Sequence, residues 1–82
     1  MDEKHFIVLG KNACSYCQSA QEVLESRGIS FVYKDLTNDL TFLTEAKQFY
    51  NWNSVPIILM LDKKTGESEF IGGYSDLLDT LE

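Results

Sequence analysis

Two spacings of apolar residues alternate along the chain, one typical of strands and the other typical of helices. Apolar runs rich in residues that favour extended backbone predict strands at residues 5–9, 29–36, 55–61 and 68–72. Between them, apolar residues recur at helical spacing, which predicts helices over residues 14–27, over about 39–50 and, briefly, after Ser75. The predicted order of elements is therefore β-α-β-α-β-β-α.

This order restricts the topology. A strand, a helix and a strand in succession form a right-handed unit with parallel strands, and a turn around Gly66 makes the last two strands an antiparallel hairpin. We therefore expect an α/β fold with a four-stranded mixed sheet, strand order 2-1-3-4 and helices on both faces. The 82 residues suffice for one small domain, so a single domain over residues 1–82 is predicted.

The ends and inner faces of the helices can also be predicted. Gly28 is a typical stop for the first helix, and Ser75 is the candidate N-cap of the third. In the second helix, the positions predicted to face the sheet are Leu40, Leu43, Ala46, Phe49 and Tyr50. The aromatic group Phe49, Tyr50 and Trp52 is accordingly interpreted as core and groove wall.

Composition and charge argue against several classes of function. The formal net charge of −6 disfavours binding to nucleic acid, which needs a basic surface. The longest apolar run, VPIILML, has the length of a strand and not of a membrane span, and the acidic start MDEKHFIVLG is unlike a secretory signal. We therefore expect a cytoplasmic protein without nucleic-acid or membrane partners, in a compartment that keeps thiols reduced.

The segment GKNACSYCQSA contains the two cysteines of the chain, Cys14 and Cys17. It lies between the first strand and the first helical turn, where unpaired N–H groups and the positive helix end stabilise a thiolate. The pKa of Cys14 is therefore expected to fall well below the free value of about 8.5, and Lys11 adds a second positive charge. Cys14 is predicted to be the exposed nucleophile, and Cys17, one turn further in, the buried resolving thiol.

Two other uses of a CxxC pair fit less well. A structural disulfide is rare in a reducing compartment, and a loop this short would add little stability. A zinc site needs about four ligands, whereas the chain has two cysteines and one histidine. That histidine, His5, begins the first strand, at the end opposite the cysteines. A redox pair is the favoured interpretation.

Two further segments are candidates for substrate binding. In NSVPIIL, a cis Val55–Pro56 bond would place the Val55 backbone beside Cys14, free to pair with an extended peptide, although a trans proline fits equally well. In IGGYSDLL, N–H groups at Ser75 and Asp76 could hold a carboxylate, and the Asp76 side chain an ammonium group. Taken alone, this second segment is more simply an ordinary helix cap.

In this order, CSYC, SVP and GGYSD together resemble the glutaredoxin family, within the thioredoxin fold, over essentially the whole chain. The resemblance implies a glutathione-dependent thiol–disulfide oxidoreductase that reduces glutathione mixed disulfides and protein disulfides. Glutathione would be its reductant and co-substrate, and disulfide-bearing proteins such as ribonucleotide reductase would be its partners. The expected oligomeric state is a monomer.

The resemblance also implies roles residue by residue. Cys14 would be the nucleophile and Cys17 the resolving cysteine, as their place at the helix start already predicts. The implied glutathione contacts are Lys11 for the glycine carboxylate, Tyr16 for the groove wall, the Val55 backbone for the glutathione cysteine, Pro56 as the cis-proline, and Ser75 and Asp76 for the γ-glutamyl carboxylate and amine.

Several positions depart from the commonest family pattern. Ser15 stands where proline is usual, and some members with serine there look able to hold an iron–sulfur cluster between two protomers through the first cysteine, here Cys14, and external glutathione. Ser54 replaces the more usual threonine before VP. Asn53 stands where a positive residue is frequent, which Lys47 would offset if it faced the groove.

Two rival functions remain open. A redoxin reduced by thioredoxin reductase would share the CxxC and VP motifs but not the GGxxD segment, and GGYSD is present here. An iron–sulfur carrier would usually have a single cysteine followed by Gly-Phe-Ser, unlike CSYC. The choice of reductant and the absorbance of the purified protein would separate these functions.

Overall fold

The computed structural model describes residues 4–82, and their helices and strands follow the order β-α-β-α-β-β-α that the sequence predicts. The elements are β1 (Lys4–Gly10), α1 (Ser15–Ser26), β2 (Phe31–Asp35), α2 (Leu40–Tyr50), β3 (Ile57–Asp62), β4 (Ser68–Gly72) and α3 (Tyr74–Leu81). None of the helices within residues 4–82 is long and apolar enough to cross a membrane. The prediction of a single domain includes residues 1–3, which lie outside the described residues.

The strands are ordered β2-β1-β3-β4, which confirms the predicted mixed sheet. β1 pairs with β2 in parallel, with Gly10 opposite Asp35, and with β3 in antiparallel orientation, with Leu9 opposite Ile57. β4 pairs with β3 in antiparallel orientation. The carboxyl ends of β1 and β2 and the start of β3 therefore lie at one edge of the sheet, here named the upper edge.

Helices cover both faces of the sheet and bury two apolar clusters. On one face, α1 and α3 cover the buried side chains Phe6, Val8, Ala20, Leu24, Ile58 and Leu77. On the other face, α2 alone covers the cluster formed by Leu9, Leu36, Leu43, Ala46 and Ile57. The second face therefore has one covering helix where the first has two.

Two side chains of α2 do not lie where their spacing predicts. Leu40 and Phe49 are predicted to face the sheet, but they are 60% and 79% exposed. The side chains that do reach the apolar cluster are Leu43, Ala46 and Tyr50, which recur three and four residues apart. α2 has more apolar residues than can face the sheet at once, so helical periodicity alone could not identify which of them are buried. The prediction was therefore wrong for Leu40 and Phe49.

α3 begins earlier than its sequence predicts. The N-cap is Gly73 and not Ser75, which is the second residue of the helix. The Asp76 carboxylate reaches back, and its Oδ2 accepts a hydrogen bond from the Gly73 N–H at 3.0 Å. An acidic side chain at the third helical position therefore satisfies the N–H group of the N-cap residue, and the predicted serine cap at Ser75 is wrong.

Candidate active site

The two cysteines lie at the start of α1, at the upper edge of the sheet. Cys14 is the N-cap of α1, and its Sγ accepts a hydrogen bond from the Cys17 N–H at 3.2 Å. A disulfide joins the two residues, whose Cα atoms are 5.2 Å apart. Cys14 is half-buried, whereas Cys17 is only 1% exposed. The structure therefore shows the oxidised pair and leaves Cys14 as the sulfur that a partner can reach.

Gly10, the last residue of β1, leaves room for the cysteine pair. A Cβ atom at this position would lie 2.7 Å from Cys17 Sγ and 2.5 Å from the Tyr33 hydroxyl oxygen. Both separations are well below van der Waals contact, so a side chain here would displace the cysteine or the tyrosine. The glycine that marks the end of the strand in the sequence is therefore also part of the packing around the site.

The loop between β1 and α1 is held against the segment that follows β2. The Thr37 hydroxyl accepts a hydrogen bond from the Asn12 N–H at 2.7 Å and donates one to Asp35 Oδ1 at 2.5 Å. The Thr37 N–H also donates to Asp35 Oδ1, at 2.9 Å. The Tyr33 hydroxyl donates to the Lys11 carbonyl oxygen at 3.4 Å. These contacts hold the backbone that leads into α1.

Two pKa shifts accompany this arrangement. Hydrogen bonds from the Thr37 hydroxyl, and then from the Thr37 N–H, hold the pKa of Asp35 below its usual value. Burial, and secondly the Asp35 charge, raises the pKa of Tyr33 above its usual value. At neutral pH Asp35 is therefore ionised and Tyr33 protonated, which are the states in which their hydrogen bonds form.

The segment before β3 brings a backbone group next to Cys14. The Val55–Pro56 peptide bond is cis, in agreement with what the family resemblance implied. The Val55 carbonyl oxygen lies 3.9 Å from Cys14 Sγ. Because β3 begins only at Ile57, the peptide groups of Val55 lie outside the strand and next to the reactive sulfur, where an extended substrate could pair with them.

A groove of about 340 Å³ adjoins the cysteine pair. It is lined by residues from α1, from the cis-proline segment and from the start of α3, namely Tyr16, Trp52, Ser54, Val55, Pro56, Gly73, Tyr74, Ser75 and Asp76. The rings of Tyr16 and Tyr74 stack, with their centroids 5.9 Å apart and their planes at 29°. The fold therefore brings the three sequence motifs together in one cleft.

The start of α3 presents polar groups to this groove. The N–H groups of Tyr74, Ser75 and Asp76 precede the Leu77 N–H, which makes the first intrahelical hydrogen bond, to the Gly73 carbonyl. The Asp76 carboxylate lies beside them, bound to the Gly73 N–H through one oxygen. A helix end that favours anions and a carboxylate that favours cations therefore lie side by side, which suits a ligand with a free carboxylate and an ammonium group.

Two basic residues considered from the sequence do not line the groove. Lys11 is exposed on the loop before α1, and Lys47 is half-buried in the last turn of α2. Asp76 is the one charged residue among the groove-lining residues of the described chain. Binding of an anionic group inside the groove would therefore rest on N–H groups and not on basic side chains.

Sequence reasoning missed some of the residues that line the groove. Ser54, Gly73 and Tyr74 line it, although no binding role was predicted for them. Each lies within the SVP or GGYSD motif, close in sequence to a residue with a predicted role, and that position was the available signal. The Trp52 Nε1 is buried and has no hydrogen-bond partner within residues 4–82, a feature that the sequence could not reveal.

The described residues do not by themselves form a metal site. No three or more potential ligands from His, Cys, Asp and Glu lie together within residues 4–82. The His5 ring lies 2.7 Å from the Ser30 hydroxyl, and His5 is paired with Leu61 at the far end of the sheet. An iron–sulfur cluster held by four cysteine thiolates would need ligands from outside this chain, so the residues present do not fit one on their own.

Fold and site together define a thioredoxin-fold domain with a CxxC pair at the start of its first helix. Thioredoxin F from spinach chloroplast is similar in structure over 98% of this chain and 74% of that chain, with 16% identity and a TM-score of 0.64. A likeness at this level of identity shows the shared fold.

A narrower assignment comes from the family comparison. The family model described as Glutaredoxin matches residues 6–64, more than half of the chain, so the chain belongs to the glutaredoxin family. Glutaredoxin 1 from Francisella tularensis matches over 95% of this chain and 92% of that chain, with 24% identity and a TM-score of 0.69. Wheat glutaredoxin matches over 93% and 69%, with 18% identity and a TM-score of 0.76. No curated protein sequence matches the chain.

Membership of this family implies thiol–disulfide oxidoreductase activity. The match ends at residue 64, after the cysteine pair and the cis-proline segment but before Gly72–Asp76. The part of the groove formed by α3 is therefore supported by the structure and by the GGYSD motif, and not by the family match.

Proposed function

We propose that the protein is a glutathione-dependent thiol–disulfide oxidoreductase that reduces glutathione mixed disulfides and protein disulfides. The observation that carries the proposal is the groove, which combines the Val55 backbone, the start of α3 and the Asp76 carboxylate beside Cys14. These groups complement an extended tripeptide that has a thiol at its centre and a carboxylate and an ammonium group at one end.

In the first half-reaction, the Cys14 thiolate attacks the glutathione sulfur of a mixed disulfide. The new bond joins Cys14 to glutathione, and the bond that breaks releases the substrate protein as a thiolate. A second glutathione thiolate then attacks the glutathione sulfur on Cys14. It releases the Cys14 thiolate and leaves with the first glutathione as glutathione disulfide, so Cys17 is not needed on this route.

Reduction of a protein disulfide requires both cysteines. The Cys14 thiolate attacks one sulfur of the substrate and releases the other as a thiolate. The Cys17 thiolate then attacks Cys14 Sγ, releases the second substrate thiolate and forms the disulfide that the structure shows. Two glutathione molecules restore the dithiol and are oxidised together to glutathione disulfide.

The environment of Cys14 suits this role. Its Sγ lies at the N-terminal end of α1 and accepts the Cys17 N–H, so the helix end stabilises negative charge on the sulfur. The proposed roles of the groove residues follow from their places. Tyr16 and Pro56 form walls, the Val55 backbone pairs with the glutathione cysteine, and Ser75 and Asp76 bind the γ-glutamyl end.

Lys11 lies on the exposed loop before Cys14, outside the groove-lining set, and its proposed role is limited to the glycine carboxylate at the open side of the site. Disulfide-bearing proteins such as ribonucleotide reductase are proposed as the larger substrates. The proposed location is the cytoplasm, where glutathione keeps such proteins reduced.

The proposal is tested by following the reduction of a glutathionylated peptide with two alternative reductants. One assay contains glutathione and glutathione reductase, and the other contains thioredoxin reductase, each with NADPH consumption as the readout. Turnover that depends on glutathione is expected. Turnover with thioredoxin reductase alone would contradict the proposal and leave the α3 start as an ordinary helix cap.

A further inference from the structure

α2 leaves part of its face of the sheet without a covering helix. It starts after the upper end of β2 and leads back to the upper start of β3, and its Tyr50 ring stacks on Phe70 of β4 at 4.8 Å. The 11 residues of α2 make a helix about 16 Å long, close to the width of about 14 Å across four strands. α2 therefore crosses the sheet near the upper edge instead of running along the strands.

The uncovered part contains a second groove, named here the lower groove. It has a volume of about 740 Å³ and lies between α2 and the sheet. Its walls are Ile7, Leu9, Lys34, Phe42, Glu45, Ala46, Gln48, Phe49, Tyr50 and Leu59. Val32, which pairs with Ile7 and therefore lies on the same face of the sheet, extends the apolar surface onto the edge strand β2 and is 41% exposed. Groove residues do not include Cys14 or any residue proposed above to bind glutathione.

The rim of the lower groove carries projecting aromatic rings. Phe49 is 79% exposed and Phe42 is 49% exposed, and the two lie seven residues apart on the same side of α2. Exposed phenylalanines beside an open apolar groove are unusual for a surface that faces only water. Exposed aromatic rings therefore lie next to an apolar groove on the same surface.

The same groove contains one residue of each charge. Lys34 on β2 and Glu45 on α2 both line it, yet they form no ion pair with each other within the described chain. If a second copy of this surface were related to the first by a 180° rotation, its Glu45 could pair with Lys34 and its Lys34 could pair with Glu45. This is the arrangement of an isologous interface, in which each residue contacts a different residue of an identical copy.

We propose that the lower groove is a dimerisation surface whose partner is a second copy of this chain. Phe49 of each copy fills the lower groove of the other, and Lys34 of each copy meets Glu45 of the other. The contact buries the exposed rings of α2 and leaves Cys14 open to substrate. This proposal replaces the monomer expected from the sequence and does not depend on the proposed glutathione chemistry.

The first test measures the mass of the 82-residue protein by sedimentation from micromolar to millimolar concentration. A mass that rises towards twice the chain mass is expected. Phe49→Ser should weaken dimerisation at least about tenfold, because each substitution acts twice in a symmetric interface. Leu40→Ser is the matched control, since Leu40 is 60% exposed on the same helix but does not line the lower groove.

The second test exchanges the two charges. Lys34→Glu alone and Glu45→Lys alone should each weaken the dimer, because each places like charges opposite one another. The double variant Lys34→Glu with Glu45→Lys should recover most of the lost affinity, because the pairs are restored in reverse. Lys63→Glu, on the exposed turn after β3, controls for the change in net charge.

The two tests have outcomes that overturn the proposal. A monomeric mass at millimolar concentration would exclude the dimer. A dimer that survives Phe49→Ser, or a double variant no stronger than the single ones, would place the contact on another surface. Circular dichroism of each variant shows that the fold is intact, and none of these results bears on the glutathione assay.

Discussion

The two sides of Cys14 are built differently. On the loop side, the Asn12 N–H, Thr37 and Asp35 hydrogen-bond to one another within the chain. On the groove side, the Val55 backbone and the first N–H groups of α3 are left available next to an open cleft. The first side holds the sulfur at the helix start, and the second offers contacts to a ligand. Reactivity and selectivity should therefore respond to different substitutions.

The largest effect is expected for Cys14→Ser, which removes the reactive sulfur that lies between the loop side and the groove side. Activity should be lost with glutathionylated peptide and with a protein disulfide, because Cys17 is 1% exposed and cannot take over the attack. NADPH consumption in the glutathione-coupled assay measures both. Residual turnover in either assay would mean that Cys14 is not the nucleophile.

Cys17→Ser should separate the two reactions. Reduction of glutathione mixed disulfides should persist, since the second glutathione performs the release, whereas reduction of protein disulfides should fall steeply. Parallel assays with glutathionylated peptide and with a disulfide-bonded protein give the ratio. If protein-disulfide activity were retained, the resolving role assigned to Cys17 would be wrong.

On the groove side, Asp76→Asn removes the charge but keeps an oxygen that can accept the Gly73 N–H. The KM for glutathione should rise about fivefold, with little change in kcat, because only the contact with the ammonium group is weakened. Asp79→Asn, an exposed acid on the same helix, is the control. An unchanged KM would reduce Asp76 to its capping role.

On the loop side, Thr37→Val removes the acceptor of the Asn12 N–H. The loop should hold Cys14 less firmly at the helix start, so alkylation of Cys14 at neutral pH should slow about threefold and its pH profile should move to higher pH. Thr37→Ser should restore the wild-type profile. A change in stability with an unchanged pH profile would show that the loop contacts do not tune the thiol.

The smallest effect is expected for Asp35→Asn, which should change how far acid lowers the thermal stability. Because the folded state lowers the pKa of Asp35, its contribution to stability is present above the unfolded value of about 3.9 and is lost as pH falls through the lower folded value. Asp35→Asn should therefore reduce the difference in Tm between neutral pH and pH below about 4. Glu25→Gln, an exposed acid on α1, serves as the charge control, and equal acid sensitivity in both variants would contradict the assignment.

The sheet and the location of the three motifs could be predicted well from the sequence, for physical reasons. β4 at Ser68–Gly72 has the predicted bounds, because a turn glycine and paired glycines mark both of its ends. The strand order follows from one crossover and one hairpin, which leave few alternatives. The motif residues meet in one groove because each lies at or beside the upper edge, where strands end and helices begin.

What the sequence could not predict depends on contacts between distant segments. The hydrogen bond from Asn12 to Thr37 joins two loops that have no shared pattern in the chain. The exposure of Phe49 depends on the direction in which α2 crosses the sheet, which the helical period does not determine. The start of α3 depends on the Asp76 carboxylate, which accepts a hydrogen bond from the Gly73 N–H. The preference of the N-cap position for serine had favoured Ser75 instead.

The position of Trp52 also makes this residue an intrinsic fluorescent probe of the groove. It is the one tryptophan of the chain, it lines the groove, and its buried Nε1 has no partner in the described residues. Its ring meets Phe70 of the sheet edge-on, with the ring centroids 5.5 Å apart, which anchors it to the scaffold and not to the loop that carries the nucleophile. A ligand that enters the groove changes the surroundings of this indole directly, so occupancy can be followed by intrinsic fluorescence in unlabelled protein.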